Sequence, residues 1–82
     1  MYYIYVLKDN KERLYIGYSK QPDRRINEHL KNKVWTTKRM QKPNVVHIEG
    51  FLSKVDAIRR EKYLKTTKGK RTLKLMLKYS LI

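Results

Sequence analysis

Short runs rich in apolar and aromatic residues alternate with polar breaks along the chain, and the period of the apolar positions changes from two to that of a helix and back. Tyr2 to Leu7 is aromatic and β-branched, Lys8 to Arg13 is a polar stretch holding Asp9-Asn10, and Leu14 to Tyr18 is strand-like again. That pattern predicts a β-hairpin. With side chains alternating between faces, Tyr3, Tyr5 and Leu7 share one face of the first strand and Ile4 and Val6 the other, while Tyr15 and Gly17 share a face of the second. Ser19 to Gln21 ends the strand. Pro22 suits the first position of a helix, where its missing N–H costs nothing. The helix is predicted to run to about Asn32, with Arg25 and His29 on one side and Ile26 and Leu30 as the adjacent apolar stripe.

Lys31 to Pro43, with Trp35, Thr36, Thr37, Lys38, Arg39 and Lys42, reads as a basic loop containing a short helical turn. Val45 to Phe51 alternates as a third strand. Ser53-Lys54-Val55-Asp56 matches a capping box and starts a helix expected to reach about Lys65, burying Ala57, Ile58 and Leu64. Glu61 falls three residues after Ile58 and three before Leu64, so its carboxylate lies in or beside the apolar stripe. Gly69 interrupts the pattern, and Arg71 to Leu81 is read as a last helix with Leu73, Met76 and Leu77 on one side. The class is α+β. Without repeats, low-complexity tracts or a linker, residues 1–82 are expected to form a single domain.

Composition narrows what such a fold does. At 82 residues the chain is near the lower limit at which one core suffices, leaving little sequence for decoration. The lack of cysteine excludes disulfides and thiolate zinc sites and agrees with a reducing cytoplasm, where the protein is expected to reside. The stretch Met1 to Leu7 has no basic leader and is cut off by Lys8-Asp9-Asn10-Lys11, so neither a signal peptide nor a membrane span is expected. Charge is the strongest compositional signal: 21 Lys and Arg against 7 Asp and Glu give +14, which favours a polyanionic partner. Nucleic acid, DNA or RNA, is the leading partner. An anionic membrane surface ranks well behind, because no free amphipathic helix offers an exposed Trp or Phe face.

Candidate chemistry gathers on a few residues. Tyr5 and Tyr15 stand on opposite arms of one hairpin, where cross-strand neighbours meet. Strand tyrosines are usually packing residues, and a phenol with a solution pKa of about 10 needs nearby cations or a metal-bound water to act as a base. Arg25 can hold two phosphate oxygens in its planar fork, whereas Arg24 reads as a solvated helix charge. His29 is either a proton relay that orients Tyr5 or a helix-surface imidazole. His47, on a strand without acid or cysteine companions, reads as structural. Glu61 is either a metal ligand or the partner of one of the many cations; magnesium often needs only one or two protein carboxylates. Asp9-Asn10-Lys11 sits in the hairpin turn without an upstream acid and is rejected as a site. Arg59 to Lys78 holds nine Lys and Arg and a single acid, Glu61. Arg59, Lys62, Lys65, Lys70 and Arg71 there are read as a phosphate-binding rim. Trp35, with Lys38 and Arg39, either stacks on an unpaired base or packs in the core.

The ordered set Tyr3-Ile4-Tyr5, Tyr15-Ile16-Gly17, Arg25, His29 and Glu61 resembles the GIY-YIG nuclease superfamily over nearly the whole chain. It is similar in length to small free-standing bacterial members, and more distantly to the nuclease domain of the excision-repair incision subunit. The resemblance implies a three-stranded antiparallel sheet flanked by helices and phosphodiester hydrolysis assisted by one divalent metal, Mg2+ or Mn2+. It further implies that Tyr5, Tyr15, Arg25, His29 and Glu61 are catalytic, with Glu61 as the metal ligand. Two departures stand out: Tyr3 replaces a common Gly, and no Asn follows Glu61. The expected activity is a DNA endonuclease, structure-specific or single-strand-preferring and with targeting supplied by a partner protein. The alternatives are a catalytically silent nucleic-acid-binding module on the same scaffold and a structural RNA-binding protein.

Overall fold

The structure is a computed structural model and describes residues 1–31 and 42–81. Trp35, Lys38, Arg39 and the predicted basic loop around them lie outside the described residues. Among the described residues three strands, β1 (Tyr2–Lys8), β2 (Leu14–Ser19) and β3 (Asn44–Phe51), and three helices, α1 (Pro22–Leu30), α2 (Lys54–Leu64) and α3 (Thr67–Met76), follow in the order β1-β2-α1-β3-α2-α3. The sheet is antiparallel throughout, with β1 between β2 and β3.

β1 is central because both of its faces are apolar. Ile4, Tyr5, Val6 and Leu7 are all buried. Ile4 and Val6 join Ile16 and the α2 and α3 residues Ala57, Leu64 and Leu73, together with Leu77 just beyond α3, in the main core. Tyr5 and Leu7 pack with Ile26 of α1 and the partly buried Tyr15 on the opposite face. The turn between β1 and β2 is held by Asp9, whose Oδ1 accepts from the backbone N–H of Lys11 and Arg13 at 3.0 and 2.9 Å. Arg13 Nε donates to Asp9 Oδ2 at 2.7 Å. Such an Asx-type turn satisfies a buried carboxylate locally and fixes the hairpin register.

The helices depart from the sequence pattern in four places. α1 stops at Leu30 rather than near Asn32. At the start of α2, Ser53 has the extended backbone of an N-cap, but its side chain makes no capping hydrogen bond, so the predicted capping box is not formed. Gly69, read as a helix breaker, lies within α3, which runs from Thr67 to Met76 instead of from Arg71 to Leu81. Thr66 caps that helix by accepting from Gly69 N–H at 3.0 Å while donating to the Tyr63 carbonyl at 2.6 Å. A Cβ on Gly69 would stand 1.9 Å from that carbonyl oxygen, so the glycine allows α3 to start against the end of α2. Met76, expected on the buried side, is exposed.

His47 also differs from expectation, because it does have an acidic companion. Its Nε2 lies 2.7 Å from Glu49 Oε2, two residues along the same strand face, and Arg60 of α2 grips Glu49 through Nε and Nη2 at 2.9 and 3.1 Å. Burial alone would raise the Glu49 pKa, but the Arg60 and His47 hydrogen bonds hold it below the usual carboxylate value. The bidentate pair ties β3 to α2. Among the described residues no helix is long and apolar enough to cross a membrane.

Candidate active site

The site begins with the register of the hairpin. Tyr5 pairs directly with Gly17, and Tyr15 pairs with Leu7, so the two tyrosines are diagonal neighbours on one face rather than directly opposed. A Cβ built on Gly17 would come within 2.4 Å of the Tyr5 ring carbon Cζ and its hydroxyl. The missing side chain thus lets the Tyr5 ring lie across β2, an edge strand of the sheet. The ring centroids of Tyr5 and Tyr15 are 6.4 Å apart.

α1 closes over this face. One turn beyond Arg25, His29 is fully buried and its Nε2 lies 2.7 Å from the Tyr5 hydroxyl. Its ring also stands 4.8 Å, centroid to centroid, from Tyr15. The surface-imidazole reading of His29 is therefore overturned: His29 sits three residues after Ile26 and shares its inward stripe. Burial is the main cause that lowers the His29 pKa, with the Arg25 charge adding to it and Glu28 opposing. Burial and the Arg25 charge both favour the uncharged imidazole, which in its Nδ1–H tautomer accepts a hydrogen bond from the Tyr5 hydroxyl at Nε2.

The Tyr5 phenol is pushed up to about 12, first by burial and then by Tyr15, which together outweigh the downward pull of Arg25; the Glu61 charge adds a further upward push. Tyr5 is only 1% exposed and stays protonated at physiological pH. Cations around the site do not turn it into a phenolate. Arg25 is held above its ordinary value: partial burial works against the charge, but Tyr5 and Glu28 retain it. Its guanidinium remains substantially exposed and donates to Glu28 Oε2 at 3.2 Å. Tyr5, Tyr15, Arg25 and His29 are thus brought together, Tyr5 and His29 inside and Tyr15 and Arg25 partly open to solvent.

Glu61 comes from the other side of the sheet, on α2, yet its charge reaches the Tyr5 phenol. Its side chain is 21% exposed and pairs with Lys65 one turn later at 3.2 Å. An exposed pair at this spacing contributes only about 0.3–0.5 kcal/mol, so Lys65 is readily displaced by a stronger cation. No group of three or more His, Cys, Asp and Glu that could hold a metal occurs among the described residues. A partly open single carboxylate fits a magnesium ion that keeps most of its waters, and does not fit a structural zinc centre.

Arg59, Lys62, Lys70 and Arg71 are exposed, whereas Arg60 in the same stretch is committed to Glu49. One residue that sequence reasoning passed over belongs with the site. Glu28 forms an ion pair with Arg24 at 3.3 Å and accepts a hydrogen bond from Arg25 at 3.2 Å. Its positions four and three residues after the two arginines were a sufficient signal.

The model of the GIY-YIG catalytic domain matches residues 1–74. The chain belongs to the GIY-YIG family. It is 33% identical to a UPF0213 protein of Staphylococcus saprophyticus and 34% identical to one of Staphylococcus haemolyticus, in each case over 92% of this chain and 93% of the relative. The solution NMR structure of a UPF0213 protein from Bacillus halodurans superposes with a TM-score of 0.59 at 30% identity, covering 93% of this chain and 85% of that one. The small three-stranded α+β architecture is therefore that of a GIY-YIG domain, a nuclease-type catalytic fold.

Proposed function

We propose that this GIY-YIG protein is a metal-dependent endonuclease that hydrolyses DNA phosphodiester bonds. The observation that carries the reading is the buried 2.7 Å hydrogen bond between the Tyr5 hydroxyl and neutral His29, with the exposed Arg25 beside it and Tyr15 packed on the same imidazole. A buried hydroxyl–imidazole pair behind an open phenol and a guanidinium is more than packing demands of four polar residues.

In this reading Arg25 binds the non-bridging oxygens of the scissile phosphate and balances the charge that grows on them in the transition state. Tyr15, the more exposed tyrosine, takes the proton of the attacking water while passing its own phenol proton to the surrounding water, as the oxygen adds to phosphorus in line with the departing one. Burial and the raised pKa suit Tyr5 to positioning instead. It stays neutral and fixes His29, and with it the ring against which Tyr15 packs. Glu61 would hold magnesium or manganese. That ion would supply positive charge opposite the departing oxygen. Arg59, Lys62, Lys70 and Arg71 form a cationic rim for flanking phosphates, and the +14 charge drives DNA toward the site.

Glu61→Ala tests the reading. It should abolish magnesium-dependent cleavage of labelled single-stranded, duplex and branched DNA while leaving DNA affinity equal or slightly higher, since one negative charge is gone. Parental cleavage by the purified variant would remove Glu61 as the metal ligand. A parent protein that binds every substrate and cuts none would instead mark a silent binding module.

A further inference from the structure

A groove of about 610 Å³ opens beside Arg25, between the end of β2 and the first turns of α1, with Tyr18, Lys20, Gln21, Arg24, Arg25 and Glu28 among its lining residues. Three cations and one acid make it positive. Glu28 does not simply subtract from that charge. Its two oxygens are shared between neighbouring guanidiniums, Oε1 with Arg24 Nε at 3.3 Å and Oε2 with Arg25 Nη1 at 3.2 Å. Arg25 spends one N–H on the carboxylate and Arg24 meets it only as an ion pair, so both keep N–H groups for an anion, and Arg24 is largely exposed. Lys20, also lining the groove, carries its ammonium over the Tyr2 ring at 5.2 Å from the centroid.

A solvated helix charge is the ordinary fate of an arginine such as Arg24, and an isolated pair with Glu28 would mean no more than that. The setting here is different, because Arg25 belongs to both the groove and the candidate active site. A strand whose phosphate rests on Arg25 has to continue somewhere. Along the other flank of α1 the groove is lined by Ile26, Leu30, Val45 and Ile48 together with Asp23, Arg24 and Asn27, so it is mainly apolar, carries no net charge and shares Arg24 with the cationic groove. The polar, cationic groove is the continuation that a charged backbone can occupy.

We propose that the Lys20–Arg24 groove seats the phosphate next to the scissile one on a DNA strand, with Glu28 as a positioning residue that sets Arg24 and Arg25 side by side. This subsite rests on the nuclease reading and extends it: the substrate is a strand held at two consecutive phosphates, not a single phosphodiester. Tyr18, partly buried against the main core, forms a fixed wall of the groove.

The test measures binding of a short labelled single-stranded DNA in chelator, where no cleavage occurs, across a series of salt concentrations. Lys20→Ala and Arg24→Ala should each weaken binding several-fold at low salt and lower the slope of log affinity against log salt, and the double variant should lower it by about 0.7, the loss of one phosphate contact. Lys11→Ala, at the far end of the hairpin, removes the same charge and should leave the slope near the parental value. Glu28→Gln gives a test of sign. Removing a negative charge should strengthen binding if only net charge matters, whereas loss of positioning should lower kcat/KM for cleavage with magnesium present. Slopes for Lys20→Ala and Arg24→Ala equal to that of Lys11→Ala would overturn the subsite while leaving the nuclease reading intact. Failure of the parent to bind the oligonucleotide would overturn both.

Discussion

On one side of the sheet Ile4, Val6 and Ile16 meet Ala57, Leu64, Leu73 and Leu77 in a core whose buried side chains are all hydrocarbon, with tyrosines only at its margin. On the other side Tyr5, Leu7 and Tyr15 meet Ile26 and a buried imidazole. The same strands supply both sides through alternate residues. The first side can be filled freely because apolar contacts need only volume, and it carries most of the burial on which so small a chain depends. The second has to keep a hydroxyl and a ring nitrogen satisfied away from water, which a 2.7 Å hydrogen bond achieves. A sheet covered on both faces thus separates the part that holds the fold from the part that can do chemistry, without needing a second domain.

The sharpest way to break this separation is to remove an oxygen from the chemical side. Tyr15→Phe should slow cleavage by about 10²–10⁴-fold, the range of general base catalysis, while changing stability by less than about 1 kcal/mol. Tyr5→Phe should cost less in rate, because its hydroxyl positions His29 and does not meet the water. Single-turnover rates for both variants, alongside urea unfolding, decide the matter. A larger rate loss for Tyr5→Phe would reverse the assignment of the two tyrosines.

The converse experiment acts on the hydrocarbon side. Leu73 is fully buried against the sheet, and Leu73→Ala should destabilise the fold by about 2–5 kcal/mol through lost transfer energy and the cavity left behind. Cleavage per folded molecule, measured well below the unfolding midpoint, should stay near the parental rate. If the rate falls in proportion to stability, the two faces are not independent and the comparison fails.

The hairpin, the alternation that sends Tyr5 and Ile4 to opposite faces, and the helix opening at Pro22 were legible because they rest on period two, a turn signal and a local backbone preference. Other features depend on residues distant along the chain. Gly69 reads as a breaker by propensity, but its place is set by the Tyr63 carbonyl that any side chain would strike. The His47–Glu49 contact could have been found from the shared strand face, whereas Arg60 arrives from a helix eleven residues on and leaves no local mark. For the site, the spacing of Arg25 and His29 was legible. The depth of His29 was not, since it needs the width of the α1 contact, and neither was the rise of the Tyr5 pKa, since cation-rich composition points the other way while burial decides.

That rise gives the smallest and most specific expected effect. Unfolded, the Tyr5 phenol has a pKa near 10; folded, it is held at about 12. Below pH 10 both states keep the proton, so the contribution to stability is fully present. Between pH 10 and 12 the unfolded chain ionises while the folded one does not, and the contribution is lost progressively. By pH 11 the loss amounts to about 1.4 kcal/mol. Other tyrosines and lysines titrate in this window, so the measurement has to be a difference. The parent and Tyr5→Phe should be compared by urea unfolding at pH 9 and pH 11. The parent should lose about 1.4 kcal/mol more than the variant between the two pH values. Equal losses would mean that the Tyr5 hydroxyl is not held neutral by the fold, and the chemical side of the sheet would then be wetter than its buried Tyr5–His29 bond implies.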